Sequence, residues 1–474
     1  MSPLLRVTHP NMSLLVLMLR VAEPIAVIIA ALVAYWLRHG FFMVPFDYLL
    51  LTVFAGFCFS LMMSVMGGYR LYNIQRLIVN LPKMMGALAI ALAFVVSILF
   101  SLKVSSEFSR LWIAYWAVLA LIGLIIMRFL AERKIRHKLA AGKWRRRLAI
   151  YGMTAKTHLL LDALRQNNTD GLVLTGLYAQ ADTDVSPDML KSGIYRGNLD
   201  NLLGDGLAGF YDDLIVTDDI TATENAEILL NNLHKLAVNV FYCLPTALFG
   251  RVQHYLLIPS VPLVQVYHKP LEGHSIWLKR AMDIAASGTV LLIAAPVMCV
   301  VAILIKLSSP GPVFFRQKRG GFNGHDFEML KFRSMRSDMP APTDDFGKEK
   351  QATKTDPRIT AIGKFIRRTS LDELPQLINV IKGDMSLVGP RPHVPSHNTY
   401  YEQLIDKYAS RHKMRPGLTG WAQLNGWRGE TETIDKMAKR VEFDIWYIEN
   451  WSLALDLRII ILTPLVLLWQ RGAY

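Results

Sequence analysis

Cysteine is scarce in this 474-residue sequence, and its spacing excludes several kinds of site. The three cysteines, Cys58, Cys243 and Cys299, lie far apart, without a CxxC pair or a Cys/His alternation. Structural zinc sites and disulfide frameworks need closely spaced ligands. We therefore expect neither, and we interpret the three residues as inert core cysteines.

Acidic residues are also in short supply, and a cleavable signal is missing. The chain has 38 Asp and Glu against 52 Lys and Arg, which suits anionic partners such as lipid headgroups or nucleotide phosphates. The first apolar stretch, Leu14 to Leu37, is as long as a membrane span and lacks a small-residue cleavage site. We expect it to stay in place as an anchor.

Apolar residues, in contrast, are abundant. They make up 52% of the chain, and the mean hydropathy is +0.28. This is too apolar for an ordinary soluble protein, while 19% charged residues is too many for a pure transporter. The composition predicts a membrane part joined to a soluble part.

Four apolar stretches of about 20 residues predict four membrane helices within residues 1–145. The loop between the second and third stretches carries Arg70, Arg76 and Lys83 and no acid, which places it in the cytoplasm. A segment rich in Lys and Arg, Arg128–Arg147, follows the fourth stretch, so both termini are expected inside. Because a basic segment after a span is a topology signal, we predict membrane lipid and no nucleic acid as its partner.

Residues 146–265 alternate short apolar runs with segments of helical periodicity. The runs lie at 148–151, 172–178, 213–216 and 238–244. This order predicts a small cytoplasmic α/β domain with a parallel sheet. Gly152 ends the first run where a dinucleotide-binding fold would hold phosphate, but G-x-G-x-x-G is missing, so a docking or regulatory domain is the better interpretation.

A long apolar segment begins near Ser275 and contains Pro296. Proline inside a helix removes a hydrogen bond and clashes with the preceding turn, so we expect a bend or break there. Lys279 and Lys306 flank the segment, which predicts a re-entrant helix over about residues 277–307. A kinked full span is the alternative by length, but it would place the basic remainder of the chain outside.

The third part, residues 266–474, is predicted to be a mixed, mainly helical catalytic domain that contains this helix. Beyond the helix it is rich in Gly, Pro, Arg and Trp, as loop-rich active-site domains are. Its last apolar stretch, Leu453 to Trp469, carries Asp456 and Arg458. We expect that stretch to lie in the membrane interface.

Two adjacent carboxylates, Asp372 and Glu373, stand in RRTSLDELPQL. Acids are common at helix starts and Pro375 suits a first helical turn, so helix capping by Ser370 or Asp372 is the simplest interpretation. A carboxylate can also attack phosphorus, while its neighbour holds a metal ion that neutralises a diphosphate. Mg²⁺ follows from that logic, with most of its other ligands from substrate oxygens and water.

Cationic side chains suited to phosphate stand in neighbouring motifs: Lys331, Arg333, Arg367, Arg368 and Arg391. A guanidinium group offers two parallel donors to phosphate oxygens, and prolines stiffen the GPRP loop. Such cations, with Mg²⁺, stabilise a transferring phosphoryl group.

Several motifs after Ser275 are typical of one enzyme family. They are KRAMDI, SSPGPVFFRQKR, FEMLKFRSM, RRTSLDELPQLINVIKGDMSLVGPRP and RPGLTGWAQLNGWRGET. The chain resembles the monotopic polyprenyl-phosphate phosphoglycosyl transferases, also called the bacterial sugar transferase family. Its first part resembles the four-span and Rossmann-like α/β extension of the long members, and GPRPH and the ending GAY resemble the glucose-transferring, colanic-acid type.

The resemblance implies an enzyme of the bacterial cytoplasmic (inner) membrane, with its catalytic domain on the cytoplasmic face. In such an enzyme Asp372 attacks the β-phosphate of UDP-glucose and releases UMP. It holds the sugar 1-phosphate until undecaprenyl phosphate accepts it, and Glu373 is the Mg²⁺ ligand. The reaction would be the first membrane step of exopolysaccharide or capsule assembly.

The resemblance also assigns roles to other residues. Lys331, Arg367 and Arg391 match family positions associated with the phosphates. Pro296 matches the break that keeps the helix re-entrant, although this chain has Ala295 where members often have serine.

Three alternatives stay open. The sugar could be galactose, because residue order does not reveal the direction of one hydroxyl. Asp372 could act as a general base on the lipid phosphate in a ternary complex, although phosphates are already ionised at neutral pH. The chain could also be a non-catalytic membrane receptor for nucleotide sugars. A homodimer is a further expectation.

Overall fold

The computed structural model describes residues 10–41, 43–69, 77–166, 171–180, 193–218, 224–245, 258, 261–336, 356–427 and 433–469. Arg70 and Arg76, which entered the topology prediction, lie outside the described residues. The helices are α1 (Pro10–His39), α2 (Phe46–Val65), α3 (Leu77–Ser101), α4 (Arg110–Ala140), α5 (Ala155–Gln166), α6 (Leu199–Leu207), α7 (Glu224–Leu233), α8 (His274–Ser308), α9 (Ala361–Arg368), α10 (Gln376–Lys382), α11 (Pro395–Leu404), α12 (Trp421–Leu424), α13 (Ile434–Glu449) and α14 (Leu453–Trp469). The strands are β1 (Arg146–Tyr151), β2 (Leu172–Tyr178), β3 (Tyr195–Gly197), β4 (Asp213–Val216), β5 (Asn239–Cys243), β6 (Leu263–Tyr267), β7 (Phe314–Gly320), β8 (Asp326–Phe332), β9 (Ser386–Val388) and β10 (Gly417–Thr419).

Helices α1 to α4 form an apolar bundle. In the described part of the chain, these four helices and α8 are long and apolar enough to cross a membrane. Trp112 and Trp116 of α4 are buried inside the bundle, and their indole N–H groups donate to the carbonyls of Ala31 and Val27 of α1. A buried indole needs such an acceptor. The chain is therefore a membrane protein, and the bundle has a specific packed core.

A buried ion pair fastens α1 to α4. Arg128 donates from NH2 to Oε2 of Glu23 at 3.0 Å and from NH1 to the carbonyl of Gly68 at 3.1 Å. Both charged residues are almost fully buried. A pair of this kind avoids the much larger penalty of a single buried charge. The contacts give Glu23 a role in helix packing.

The α/β domain is built on a six-stranded sheet in the order β3-β2-β1-β4-β5-β6. This is the strand order of the doubly wound nucleotide-binding fold. Strands β1 to β5 are parallel, but β6 pairs antiparallel with β5. The strands in the four predicted runs, β1, β2, β4 and β5, are parallel as expected, whereas β6 lies outside those runs and was not predicted. The sheet ends at Tyr267, beyond the predicted boundary at residue 265.

The turn after β1 is narrow and acidic. Gly152 has a φ of +115°, and a Cβ at this position would lie 2.4 Å from the carboxylate of Asp218. A carboxylate repels phosphate where a dinucleotide fold would bind it. The geometry favours the docking or regulatory interpretation of this domain.

Helix α8 passes through Pro296 without a break. It runs continuously from His274 to Ser308 over 35 residues, so of the two predicted outcomes the break does not occur, and the bend stays a prediction. A proline costs one hydrogen bond, and a helix of this length keeps enough others to continue. Large apolar side chains near its middle, such as Leu292 and Ile293, are exposed.

The α/β domain contacts the catalytic domain through His234, which follows α7. The Ser410 hydroxyl donates to the His234 carbonyl at 2.9 Å and also bonds the His234 ring. Ser410 belongs to a 3₁₀ helix, Tyr408–Lys413, and the ammonium of Lys413 lies over the ring of Tyr267. This segment therefore links the two domains.

A buried ionic network joins α8, β9, α13 and α14. The ammonium of Lys279 lies 2.8 Å from Oδ2 of Asp456 and 3.3 Å from Oδ1 of Asp283. The Ser386 hydroxyl donates to Asp283, and the Tyr447 hydroxyl donates to Asp456 at 2.7 Å. All five side chains are buried. The network fixes the start of α8 to the core of the catalytic domain.

We predict that Lys279→Met destabilises the protein, because it leaves two buried carboxylates without their shared cation. The expected loss of unfolding free energy is about 3–5 kcal/mol. Urea unfolding in detergent, followed by tryptophan fluorescence, measures it. The matched control is Lys306→Met, an exposed lysine on the same helix, which should change the free energy by less than about 0.5 kcal/mol. Equal stability of the two variants would contradict the prediction.

Candidate active site

The two adjacent carboxylates lie in a short 3₁₀ helix, Leu371–Glu373, between α9 and α10. Ser370 starts this turn with a φ of +57°, an uncommon conformation for a residue with a side chain. The first position of α10 is capped by Pro375, and neither Ser370 nor Pro375 makes a side-chain capping hydrogen bond. The predicted capping by Ser370 is therefore wrong.

Glu373 is held by two of the predicted cations. Nζ of Lys331, on β8, lies 2.9 Å from its Oε1, and NH2 of Arg391, in the loop after β9, lies 3.6 Å from the same oxygen. Lys331 and Arg391 are 60 residues apart in the chain, and the fold brings both to one carboxylate. The side chains of all three are largely buried, which strengthens their attraction.

Asp372 has a different environment from its neighbour. Among the described residues it makes no ion pair. Burial, together with the negative charge of Glu373, raises the pKa of Asp372 to about 6, although Lys331 and Arg367 act in the opposite direction. Strongly shifted carboxyl groups are common where a side chain takes part in chemistry. The pair thus combines an ion-paired carboxylate, Glu373, with a carboxylate whose pKa lies near neutral pH, Asp372.

The other three predicted cations differ in their placement. Nε of Arg367 donates to the Ser334 hydroxyl at 3.0 Å, close enough to Asp372 to lower its pKa. Arg368 is exposed on α9. Arg333 is buried and donates to the carbonyls of Ser309 and Pro310, which fixes the end of α8. These contacts give Arg333 a structural role that its motif does not reveal.

Sequence reasoning missed a second basic cluster beside Arg391. Arg411 is buried, and it donates to the Arg391 carbonyl at 2.8 Å and to Asp444 at 2.7 Å. His393 lies beside it, and burial and the nearby arginines hold the pKa of His393 well below its usual value. His393 is thus a neutral packing residue. In the sequence, the only indication of this cluster is that basic residues stand next to Gly and Pro in RQKRGG and RHKMRPG.

The described residues can supply only some of the ligands of a magnesium ion. They contain no group of three or more Asp, Glu, His or Cys side chains with metal-site geometry. The Asp372 and Glu373 pair can supply one or two oxygens. Mg²⁺ is often held in this way, with water and substrate phosphates completing the octahedron.

The chain is similar to known proteins over most of its length. Residues 274–470 match the family model for bacterial sugar transferases, and residues 64–255 match a model described as a CoA-binding domain. The UDP-glucose:undecaprenyl-phosphate glucose-1-phosphate transferase of Xanthomonas campestris pv. campestris is 34% identical over 97% of this chain and 94% of its own length. The chain belongs to the bacterial sugar transferase family. Two relatives of the same name are also similar to it. The one from Escherichia coli K12 is 40% identical over 77% of this chain and 76% of its own length. The one from Klebsiella pneumoniae is 37% identical over 76% of each chain. The predicted family is confirmed.

We predict that the unusual acidity of Asp372 can be observed directly. The infrared band of its protonated carboxyl, isolated as wild type minus Asp372→Asn, should fall to half its intensity at a pH of about 6. Glu373→Gln should move this midpoint to lower pH, because it removes a neighbouring negative charge. A wild-type midpoint at the ordinary value of 3.8 would contradict the burial of this group.

Proposed function

We propose that this chain transfers glucose 1-phosphate from UDP-glucose to undecaprenyl phosphate, with undecaprenyl-diphosphate glucose and UMP as products. The observation that carries the proposal is the buried pair of Asp372 and Glu373, with Lys331 and Arg391 on Glu373. Relatives that are similar over most of this chain bear the name of this reaction. The site supplies the two things that phosphoryl transfer needs, a nucleophile and fixed positive charge.

Asp372 is proposed as the nucleophile. Its oxygen forms a bond to the β-phosphorus of UDP-glucose while the bond to the bridging oxygen breaks, and UMP leaves with that electron pair. An oxygen of undecaprenyl phosphate then attacks the phosphorus and frees Asp372. The pKa of about 6 supports this role, because at neutral pH the residue is mostly carboxylate and yet is only weakly solvated. Glu373 is kept from this role by its two cations.

Glu373 is proposed to hold Mg²⁺. When bound, the ion neutralises charge on the diphosphate. Lys331 and Arg391, which both lie at Oε1 of Glu373, bind oxygens of the diphosphate, and Arg367 adds positive charge near Asp372. These positions were predicted from the sequence as phosphate ligands, and the proximity of Lys331 and Arg391 to Glu373 supports that use.

We predict that Asp372→Asn lowers UMP release from UDP-glucose by at least about a thousandfold, because the amide cannot attack phosphorus. Purified protein with Mg²⁺ is assayed for UMP and for intact mass, with and without undecaprenyl phosphate. Without lipid, wild type should gain the mass of one hexose phosphate, and Asp372→Asn should not. Chelation of Mg²⁺ should stop the reaction.

The control is Asp406→Asn, an exposed aspartate in the same domain, which should retain activity. UMP release only with lipid, and no adduct, would favour the ternary complex with Asp372 as a base. Release from UDP-galactose but not from UDP-glucose would correct the sugar. No release from any nucleotide sugar would favour the receptor alternative.

We further propose that α8 is re-entrant, so that the catalytic domain stays on the cytoplasmic face of the inner membrane after four spans. Near its start Arg280 donates to the carbonyls of Val380 and Ile381, and near its end Val301 and Ile305 pack in one cluster with elements of the same domain. A straight helix would hold residues 280 and 305 about 38 Å apart. Attachment of both ends to one small domain, with an exposed apolar middle, supports a bent helix that dips into the lipid.

We predict that both ends of α8 react with a membrane-impermeant thiol reagent from the cytoplasmic side only. The background chain carries Ser at positions 58, 243 and 299, and His274→Cys and Lys306→Cys are tested one at a time, both positions being exposed. Inside-out vesicles should label, and intact cells should not. Ser106→Cys, in the loop between α3 and α4, should label in intact cells and serves as the control. Labelling of Lys306→Cys in intact cells would show a full span.

A further inference from the structure

Three arginines lie around the loop that carries a fourth, Arg391. Arg319, near the end of β7, donates to the Pro392 carbonyl at 3.4 Å, and Arg411 donates to the Arg391 carbonyl at 2.8 Å. Arg440 of α13 is buried close by, and it donates to the Trp427 carbonyl at 2.9 Å. The four guanidinium groups come from four separate elements, so the fold gathers them at one place.

The cluster has more positive than negative charge. Among the described residues, Asp444 pairs with Arg411 at 2.7 Å, and Glu373 lies 3.6 Å from Arg391 but is shared with Lys331. Burial, with repulsion from Arg391, lowers the pKa of Arg319 and that of Arg440 to about 10. Buried charge of one sign is costly unless an anion balances it. The site is therefore built to receive an anion.

The cluster is open on one side. Arg411 and Arg440 are buried, whereas the Arg391 side chain is 27% exposed and Arg319 is half-buried. Nε of Arg319 is shielded from solvent and has no hydrogen-bond partner among the described residues. Arg319 and Arg391 thus form the accessible rim, and the other two arginines add positive charge behind it.

We propose that Arg319 and Arg391 form a second anion subsite that binds the α-phosphate of the nucleotide sugar and retains the departing nucleoside monophosphate. This assignment rests on the function proposed above. As the bond between Asp372 and the β-phosphorus forms, the bond to the bridging oxygen breaks, and its electron pair stays on that oxygen as part of UMP. The guanidinium groups stabilise this new charge, and no proton is needed.

Arg319→Gln tests the subsite. Its KM for UDP-glucose and its inhibition constant for UMP should both rise by about 10- to 100-fold, because a charged hydrogen-bond donor is lost. The KM for undecaprenyl phosphate should not change. Arg319→Lys should recover only part of the loss, because an ammonium keeps the charge but not the two parallel donors.

The matched control is Arg316→Gln on the same strand, where Arg316 is exposed and lies 3.5 Å from the exposed Glu328. It should leave all three constants unchanged. Thermal unfolding compares the folding of the variants with wild type, and if Arg319→Gln does not fold, Arg319→Lys decides through its UMP inhibition constant. Unchanged UMP inhibition, or a rise in the KM for undecaprenyl phosphate instead, would overturn the subsite. Wild type that releases no UMP would instead refute the proposed function.

Discussion

The buried contact between Lys279 and the two carboxylates Asp283 and Asp456 is the interaction on which the catalytic domain depends. Asp283 also accepts from the Ser386 hydroxyl and the Leu387 amide, so the network reaches directly into β9. Strand β9 runs into the GPRP loop, and the position of that loop relative to α8 follows from this one cluster. Because α8 is the long apolar helix of this domain, the network also fixes the position of the site relative to that helix.

Arg391 on that anchored loop and Lys331 on β8 both contact the same oxygen of Glu373. This ion pairing gives different environments to two adjacent acids of similar chemistry. Glu373 lies beside two cations, whereas burial and the charge of Glu373 raise the pKa of Asp372 to about 6. The different environments, rather than the residue types, allow the two carboxylates to take different roles.

The sequence predicted much of this site because its motifs place the right chemical groups in short segments. Asp372, Glu373, Lys331 and Arg391 could be named in advance, and the fold brings them together. The role of Arg333 could not be predicted, because its partners are carbonyls at the end of α8, and only tertiary packing places them beside it. The sequence also left open whether Pro296 breaks helix α8 or only bends it, and it gave no signal for strand β6. The assignments of Mg²⁺ to Glu373, of the re-entrant topology and of a homodimer stay predictions.

A membrane-bound transferase has to bring a soluble diphosphate and a lipid phosphate to one atom, although both substrates are strongly anionic. Simultaneous binding would place their charges next to each other and next to Glu373, whose own charge is already shared by two cations. A covalent step at Asp372 avoids this conflict, because the nucleotide product can leave before the lipid phosphate attacks.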